Sequence, residues 1–119
     1  MGTLDVTLPG LKLVYKAVQF HFHTPGEHTI EGKPVPLEMH IVHVLESGAA
    51  EGYKFKKAVV AVSFTETTKE DPFLTSLHLE KLGEECTVDL TALIEPVNTE
   101  FYHYEGSLTT PPCTEEVNW

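Results

Sequence analysis

Three histidines carry the first chemical signal in this chain. His21 and His23 stand two apart in Gln19–His23 (QFHFH), and His40 stands in a second apolar run, Leu37–Leu45 (LEMHIVHVL). Residues i and i+2 of a strand point to the same face. His21 and His23 therefore share a face with Gln19, while Phe20 and Phe22 pack the other side. In the second run the same rule groups Glu38, His40, Val42 and Val44, and sets Met39, Ile41 and His43 opposite. If the two strands pair, three imidazoles converge. Three neutral histidine nitrogens with one position left to water is the ligand pattern of catalytic zinc, whereas structural zinc is closed by four protein ligands. Gln19 could hold the second nitrogen of His21, and Glu38 that of His40. A metal-bound histidine needs such an outer partner to fix its tautomer. The plainer alternative is a structural histidine–glutamate ion pair.

The elements that must position these residues are mostly strands. Leu11–Tyr15 leads into a first strong strand, Ala17–His23, and Thr24-Pro25-Gly26 is a turn signal. Thr29–Val35 contains Glu31-Gly32, a tight-turn pair, and Leu37–Leu45 is the second strong strand. Lys57–Phe64 (KAVVAVSF) is apolar and β-branched and reads as a buried strand. One clear helix is expected over Asp71–Leu82, with Asp71 as N-cap, Pro72 in the first position and Gly83 closing it. Leu74, Leu77 and Leu82 would form its buried stripe, with His78 on the surface. Thr87–Leu93 is a short element of unassigned type. Thr99–Tyr104 reads as a strand, followed by the Gly106–Pro112 loop and Val117–Trp119. The expectation is an α+β, predominantly β fold, with residues 1–119 forming a single unit free of linkers and repeats.

Composition sets bounds on partners. The chain has 119 residues, enough for one domain with a core, and its 41% hydrophobic content argues against disorder. The formal charge of −10 disfavours nucleic acid and anionic membrane surfaces as partners. No apolar run is long enough to span a bilayer, and Met1–Gly10 does not read as a signal peptide. Cys86 and Cys113 lack CxxC spacing, so neither a redox motif nor a thiolate zinc site is supported. One disulfide or two free buried thiols fit equally well, and the compartment stays open.

The blocks QFHFH, GEHTIEGKPVPLEMHIVHV and YEGSLTTPPCTEEVNW, in that order, resemble the α-class carbonic anhydrases over most of the chain. The compact HTPGEH turn is similar to the bacterial, plant and protist branch; Thr24 stands where animal cytosolic enzymes carry a Trp. The resemblance implies the large twisted, mainly antiparallel sheet of that family. It also implies zinc on His21, His23 and His40, with Gln19, Glu38 and His28 in the surrounding hydrogen-bond network. Thr109 would accept a hydrogen bond from zinc-bound hydroxide and donate to Glu27, aiming the hydroxide at CO2. Val42, Val59, Leu108 and Trp119 would form the apolar wall that holds CO2, with Thr110 on the polar side. His43 and His103 would take no part in catalysis. The implied reaction is reversible hydration of CO2 to bicarbonate and a proton, with zinc as sole cofactor.

The family's enzymes are longer at both ends. Their N-terminal part carries the usual proton-shuttle histidine, so no shuttle is assignable, and exported members pair the cysteine matching Cys113 with one in that part. The chain is thus expected to be the active-site core of a truncated α-carbonic-anhydrase-like domain, weak in zinc binding and slow in turnover. The parent would be secreted or periplasmic by resemblance, with any signal outside these residues. A non-catalytic carbonic-anhydrase-like binding or structural domain is the main alternative, although such relatives typically lose a zinc histidine and this chain keeps three. A cupin is a weaker one. His21, His23 and Glu27 fit part of its metal motif, but Tyr15 and Gly32 break the glycine pattern, and SLTTPP has no place in it.

Overall fold

The computed structural model describes residues 2–46, 51–81, 83–95 and 100–119. They fall into two compact units, Met1–Thr65 with Tyr102–Trp119, and Glu66–Phe101. The first unit is built on a six-stranded sheet. Its strands are β1 (Thr3–Leu8), β2 (Leu11–His23), β5 (Leu37–Leu45), β6 (Lys57–Phe64), β7 (Glu105–Gly106) and β8 (Val117–Asn118), in spatial order β1-β2-β5-β6-β8-β7. All pairings are antiparallel except β6 with β8. A separate hairpin joins β3 (Thr29–Ile30) to β4 (Lys33–Pro34). Its turn residues Glu31 and Gly32 both have positive φ, 52° and 77°, which suits the right-handed twist of the flanking strands.

β1 was not foreseen from the sequence. It pairs with β2 across Pro9-Gly10, where proline pre-sets the turn and Gly10 takes φ of 73°. The alternation Leu4, Val6, Leu8 was the available signal.

β2 is one continuous strand, and its irregularity decides where the histidines point. The register with β5 slips between Ala17 and Gln19: Ala17 faces His43, but Gln19 faces Val42. One extra residue, Val18, enters β2 there, and an inserted residue exchanges the two faces of everything beyond it. Leu13, Tyr15 and Ala17 lie buried on one face with Met39, Ile41 and His43. Gln19, His21 and His23 turn to the other. Three cross-strand rows then run over that second face: Gln19–Val42–Val59, His21–His40–Ala61 and His23–Glu38–Ser63.

The core lies on the face opposite His21, His23 and His40. Leu13, Tyr15 and Ala58 form its buried centre, packed by Leu4, Val6, Leu8, Leu11, Leu45 and Tyr53. Full burial of Leu13, Met39 and Ile41 contributes about 1.5–3 kcal/mol each. The Tyr15 hydroxyl donates to the Phe55 carbonyl at 2.9 Å and accepts from the Asn118 amide at 3.1 Å, which joins β2 to β8. β6 is buried only in its first half. Val117 and Asn118 of β8 cover Lys57 and Ala58, and beyond them Ala61–Phe64 alternate between exposed and half-buried. An ion pair between Lys57 and Glu116 holds that junction.

His43 sits in this core, buried, and among the described residues its Nδ1 has no hydrogen-bond partner. Burial pushes its pKa below the ordinary 6.5. The unfolded chain therefore takes up a proton that the fold refuses. Stability from neutral His43 is full above about pH 6.5 and is lost as pH falls through the native value. His43→Phe is expected to lose less melting temperature than the wild type from about pH 8 to about pH 5 in the presence of a chelator. Equal losses in the two proteins would contradict this.

The second unit corrects the helix expected over Asp71–Leu82. α1 covers only Pro72–Ser76. Asp71 does cap it, accepting from the Leu74 N–H at 3.0 Å, and Pro72 opens it. Thr75 and Ser76 bond back to the carbonyls of Asp71 and Phe73, and His78 takes φ of 48°, so propagation stops there. Leu77 is buried and Leu74 half-buried, while Leu82 lies outside the described residues. A second helix, α2 (Leu90–Ile94), occupies part of the unassigned Thr87–Leu93 stretch, capped by Asp89. The strand expected at Thr99–Tyr104 is not formed over 100–103, and Thr99 lies outside the described residues; Tyr104 exchanges backbone hydrogen bonds with Trp119, and β7 follows from Glu105. No helix among the described residues is long and apolar enough to cross a membrane. Cys86 and Cys113 are exposed, and both are free among the described residues.

Candidate metal centre

β2 and β5 bring the rings of His21, His23 and His40 together. Ring centroids are 4.8 Å apart for His21–His23, 5.4 Å for His21–His40 and 4.5 Å for His23–His40. One nitrogen from each lies within 4.8 Å of the others, close to the span that one ion at about 2.0–2.1 Å from each nitrogen can bridge. Ala61, beside His40 in the register, keeps that side of the cluster clear of bulk.

Outer partners decide which nitrogens are free. The Nδ1 of His21 is 2.9 Å from Gln19 Oε1, which can only accept, so the proton is on Nδ1 and Nε2 is left open. His40 donates from Nε2 to Glu38 Oε1 at 2.5 Å, which leaves Nδ1. In His23, Nδ1 faces Glu27 Oε1 at 3.5 Å, and Nε2 is buried without a partner among the described residues. An unpaired buried ring nitrogen is costly unless something bonds to it. A cation shared with His21 and His40 would satisfy it, and the donor set fits zinc.

Charge supports the same reading. Burial lowers the pKa of His21, reinforced by His23 and His40 and opposed by Glu27. Burial also lowers that of His40, against the opposing pull of Glu38. Both rings are therefore neutral at pH 7, the state a metal requires. For Glu38, burial alone would raise the pKa. Hydrogen bonds from His40, from the His28 ring and from the His28 N–H overcome it and hold the carboxyl below its usual value. His28 donates from Nδ1 to Glu38 Oε1 at 2.7 Å and from its backbone to Oε2 at 3.1 Å. His28, Glu38 and His40 also lie close enough to hold an ion. Their donors are already paired by protons, and the site reads as a hydrogen-bonded network.

Gly26 makes room for that network. A Cβ there would stand 2.7 Å from Val35 Cγ2 and 3.0 Å from Glu38 Oε2. Gly26→Ala is expected to destabilise the fold by about 1–3 kcal/mol, as overpacking does, in denaturant titrations. An unchanged midpoint would show that the turn yields without disturbing Glu38.

The remaining sequence candidates are placed less closely. Glu27 is exposed yet turned to the histidines, 3.5 Å from His23 Nδ1 and 3.8 Å from His40 Nδ1. Thr109 and Thr110 are exposed, and among the described residues no hydrogen bond joins Thr109 to Glu27. Val42 and Val59 face each other in register on the histidine face, and Leu108 is half-buried. Trp119 packs edge-on against His40 and His28, centroids 4.9 and 5.1 Å away, and donates from Nε1 to the Ser107 carbonyl at 3.1 Å. His43 lies on the opposite face, and His78 and His103 are exposed.

Sequence reasoning missed Tyr104. Its hydroxyl is 2.6 Å from His28 Nε2, and its ring stacks on Trp119 at 6.1 Å and 4°. The sequence held only an indirect signal, an aromatic two residues before Gly106. A Cβ on Gly106 would meet Tyr104 at 3.0 Å and Trp119 at 3.1 Å.

Comparisons with known proteins agree on one family. The model of the eukaryotic-type carbonic anhydrases matches residues 2–119. Alpha carbonic anhydrase 7 of Arabidopsis thaliana is 39% identical over 114 residues, covering 88% of this chain and 38% of that protein. A carbonic anhydrase of Klebsiella pneumoniae is 37% identical over 118 residues, 94% of this chain and 44% of that one. Among solved structures, the Photobacterium profundum alpha-carbonic anhydrase aligns with a TM-score of 0.72 at 37% identity, over 100% of this chain and 53% of its own. The chain thus spans about half, or less, of each of these relatives.

Proposed function

The chain belongs to the eukaryotic-type, or alpha, carbonic anhydrase family, and from that premise we propose that it holds zinc on His21, His23 and His40 and catalyses the reversible hydration of CO2 to bicarbonate and a proton. The observation that carries the reading is the tautomer pattern. Gln19 and Glu38 each occupy one nitrogen of a histidine, and the Nε2 of His23 is buried with no partner of its own. When bound, zinc supplies a hydroxide nucleophile near neutral pH, the general property of the carbonic anhydrase metal.

The chain's own residues do the rest. Gln19 and Glu38 orient the ligand rings and fix their tautomers, while burial keeps the rings neutral. Thr109 would be the orienting hydroxyl: donating to the Glu27 carboxylate would leave it only an acceptor toward the nucleophile. That step needs the Ser107–Cys113 loop to bring Thr109 to the Glu27 carboxylate, which now lies beside His23 and His40. Val42, Val59, Leu108 and Trp119 supply an apolar wall for a substrate without charge, and Thr110 lines the polar side. The family match runs through both compact units, which supports reading residues 1–119 as part of one domain.

A second reading, a non-catalytic carbonic-anhydrase-like binding domain, is favoured by the exposed Thr109. Stopped-flow CO2 hydration separates the two. Zinc-dependent turnover that a chelator removes and added zinc restores is the expected result. Stoichiometric zinc with no turnover would select the second reading.

A further inference from the structure

Beyond the metal and its three ligands, the geometry points to Tyr104 as a positioning residue that sets the metal-facing nitrogen of His40 through His28 and Glu38. This rests on the zinc reading above. The relay is short, and with a neutral His28 ring each link has one direction. Glu38 Oε1 can only accept, so His28 donates to it from Nδ1 and His40 from Nε2, at 2.7 and 2.5 Å. In a neutral His28 ring, Nε2 is then the acceptor, and the Tyr104 hydroxyl 2.6 Å away is its donor.

Without that hydroxyl His28 would be anchored at one ring nitrogen only, free to pivot about its bond to Glu38. The consequence falls on Glu38. Its carboxylate is fully buried and takes two of its three donors from His28, one on each oxygen. His28 therefore sets the rotation of the carboxyl group, and that rotation aims Oε1 at His40. Tyr104 acts at the far end, 76 residues from His28 in the chain. Its stack on Trp119, with Gly106 leaving room for both rings, fixes the hydroxyl in place.

A Tyr104 that merely packs would be replaced without loss by Phe, which keeps the stack and removes only the hydroxyl. Two readouts separate packing from positioning. The first is the zinc dissociation constant of Tyr104→Phe, measured by competition with a chromophoric chelator. It is expected to rise about tenfold, the lower end of the effect of removing an outer partner of a metal ligand. The second is nitrogen-15 NMR of the histidine rings in metal-free protein. In the wild type His28 is expected as the Nδ1–H tautomer and His40 as the Nε2–H tautomer, with slowly exchanging low-field N–H signals. Both signals are expected to broaden in Tyr104→Phe, with little change in melting temperature.

Both readouts must move; a wild-type value in either overturns the proposal. An Nε2–H tautomer of His28 in the wild-type protein also overturns it, and that test needs no variant to fold. If the wild-type chain binds no zinc at all, the metal reading fails, while the ring signals still decide the relay.

Discussion

His40→Ala is expected to weaken zinc binding by more than the roughly 10–100-fold typical of losing an outer partner, and to abolish CO2 hydration. His40 is the one proposed ligand on β5, and it closes the cluster that β2 presents at His21 and His23. Removing it leaves two nitrogens on one strand, short of the three protein ligands of a catalytic zinc site. The ring is also nearly fully buried, so truncation leaves a cavity and strips Glu38 of one donor. Calorimetric titration of metal-free protein with zinc measures the loss. Wild-type affinity in the variant would show that the metal is held elsewhere.

Glu38→Ala is expected to have the largest effect on stability. Glu38 is fully buried, and its oxygens accept from His40, from the His28 ring and from the His28 backbone. Breaking a buried, hydrogen-bonded charge by removing one partner costs about 3–5 kcal/mol, much of it from donors left unpaired. A domain is stable by only about 5–15 kcal/mol in all. The variant should unfold at far lower denaturant, and what remains folded should bind zinc about 10–100-fold more weakly. Because those hydrogen bonds hold the Glu38 pKa down, the stability they supply is present above the ordinary carboxylate value of 4.5 and is lost as pH falls through the lower native one. Acid unfolding of the wild type should therefore set in at lower pH than that of Glu38→Gln. An Ala variant as stable as the wild type would contradict the network.

What could be read from the sequence was local. Period-two alternation groups Gln19, His21 and His23 within a stretch too short to contain the irregularity, and the same holds for Glu38, His40 and Val42. Extended back through β2, that alternation would have put His21 on the face of Tyr15. Only the slip at Val18 separates them, and an inserted residue becomes visible only against a partner strand. The network around Glu38 was half legible. Its pairing with His40 follows from spacing, but the Tyr104 hydroxyl comes from a distant loop that no periodicity marks. The helix after Asp71 was legible at its capped start and not at its end, where side-chain hydroxyls and a left-handed His78 stop it. Thr109 is the reverse case. Its motif is specific, yet a loop residue's distance from Glu27 depends on how the loop closes, which no local pattern encodes.

The central claim is a three-histidine zinc site with one open position. X-ray absorption at the zinc edge, on protein loaded and then desalted, addresses it most directly. One zinc per chain, with three imidazoles and one further light atom at about 2.0–2.1 Å, is the result expected here. Fewer than three imidazoles, or zinc lost on desalting, would contradict it.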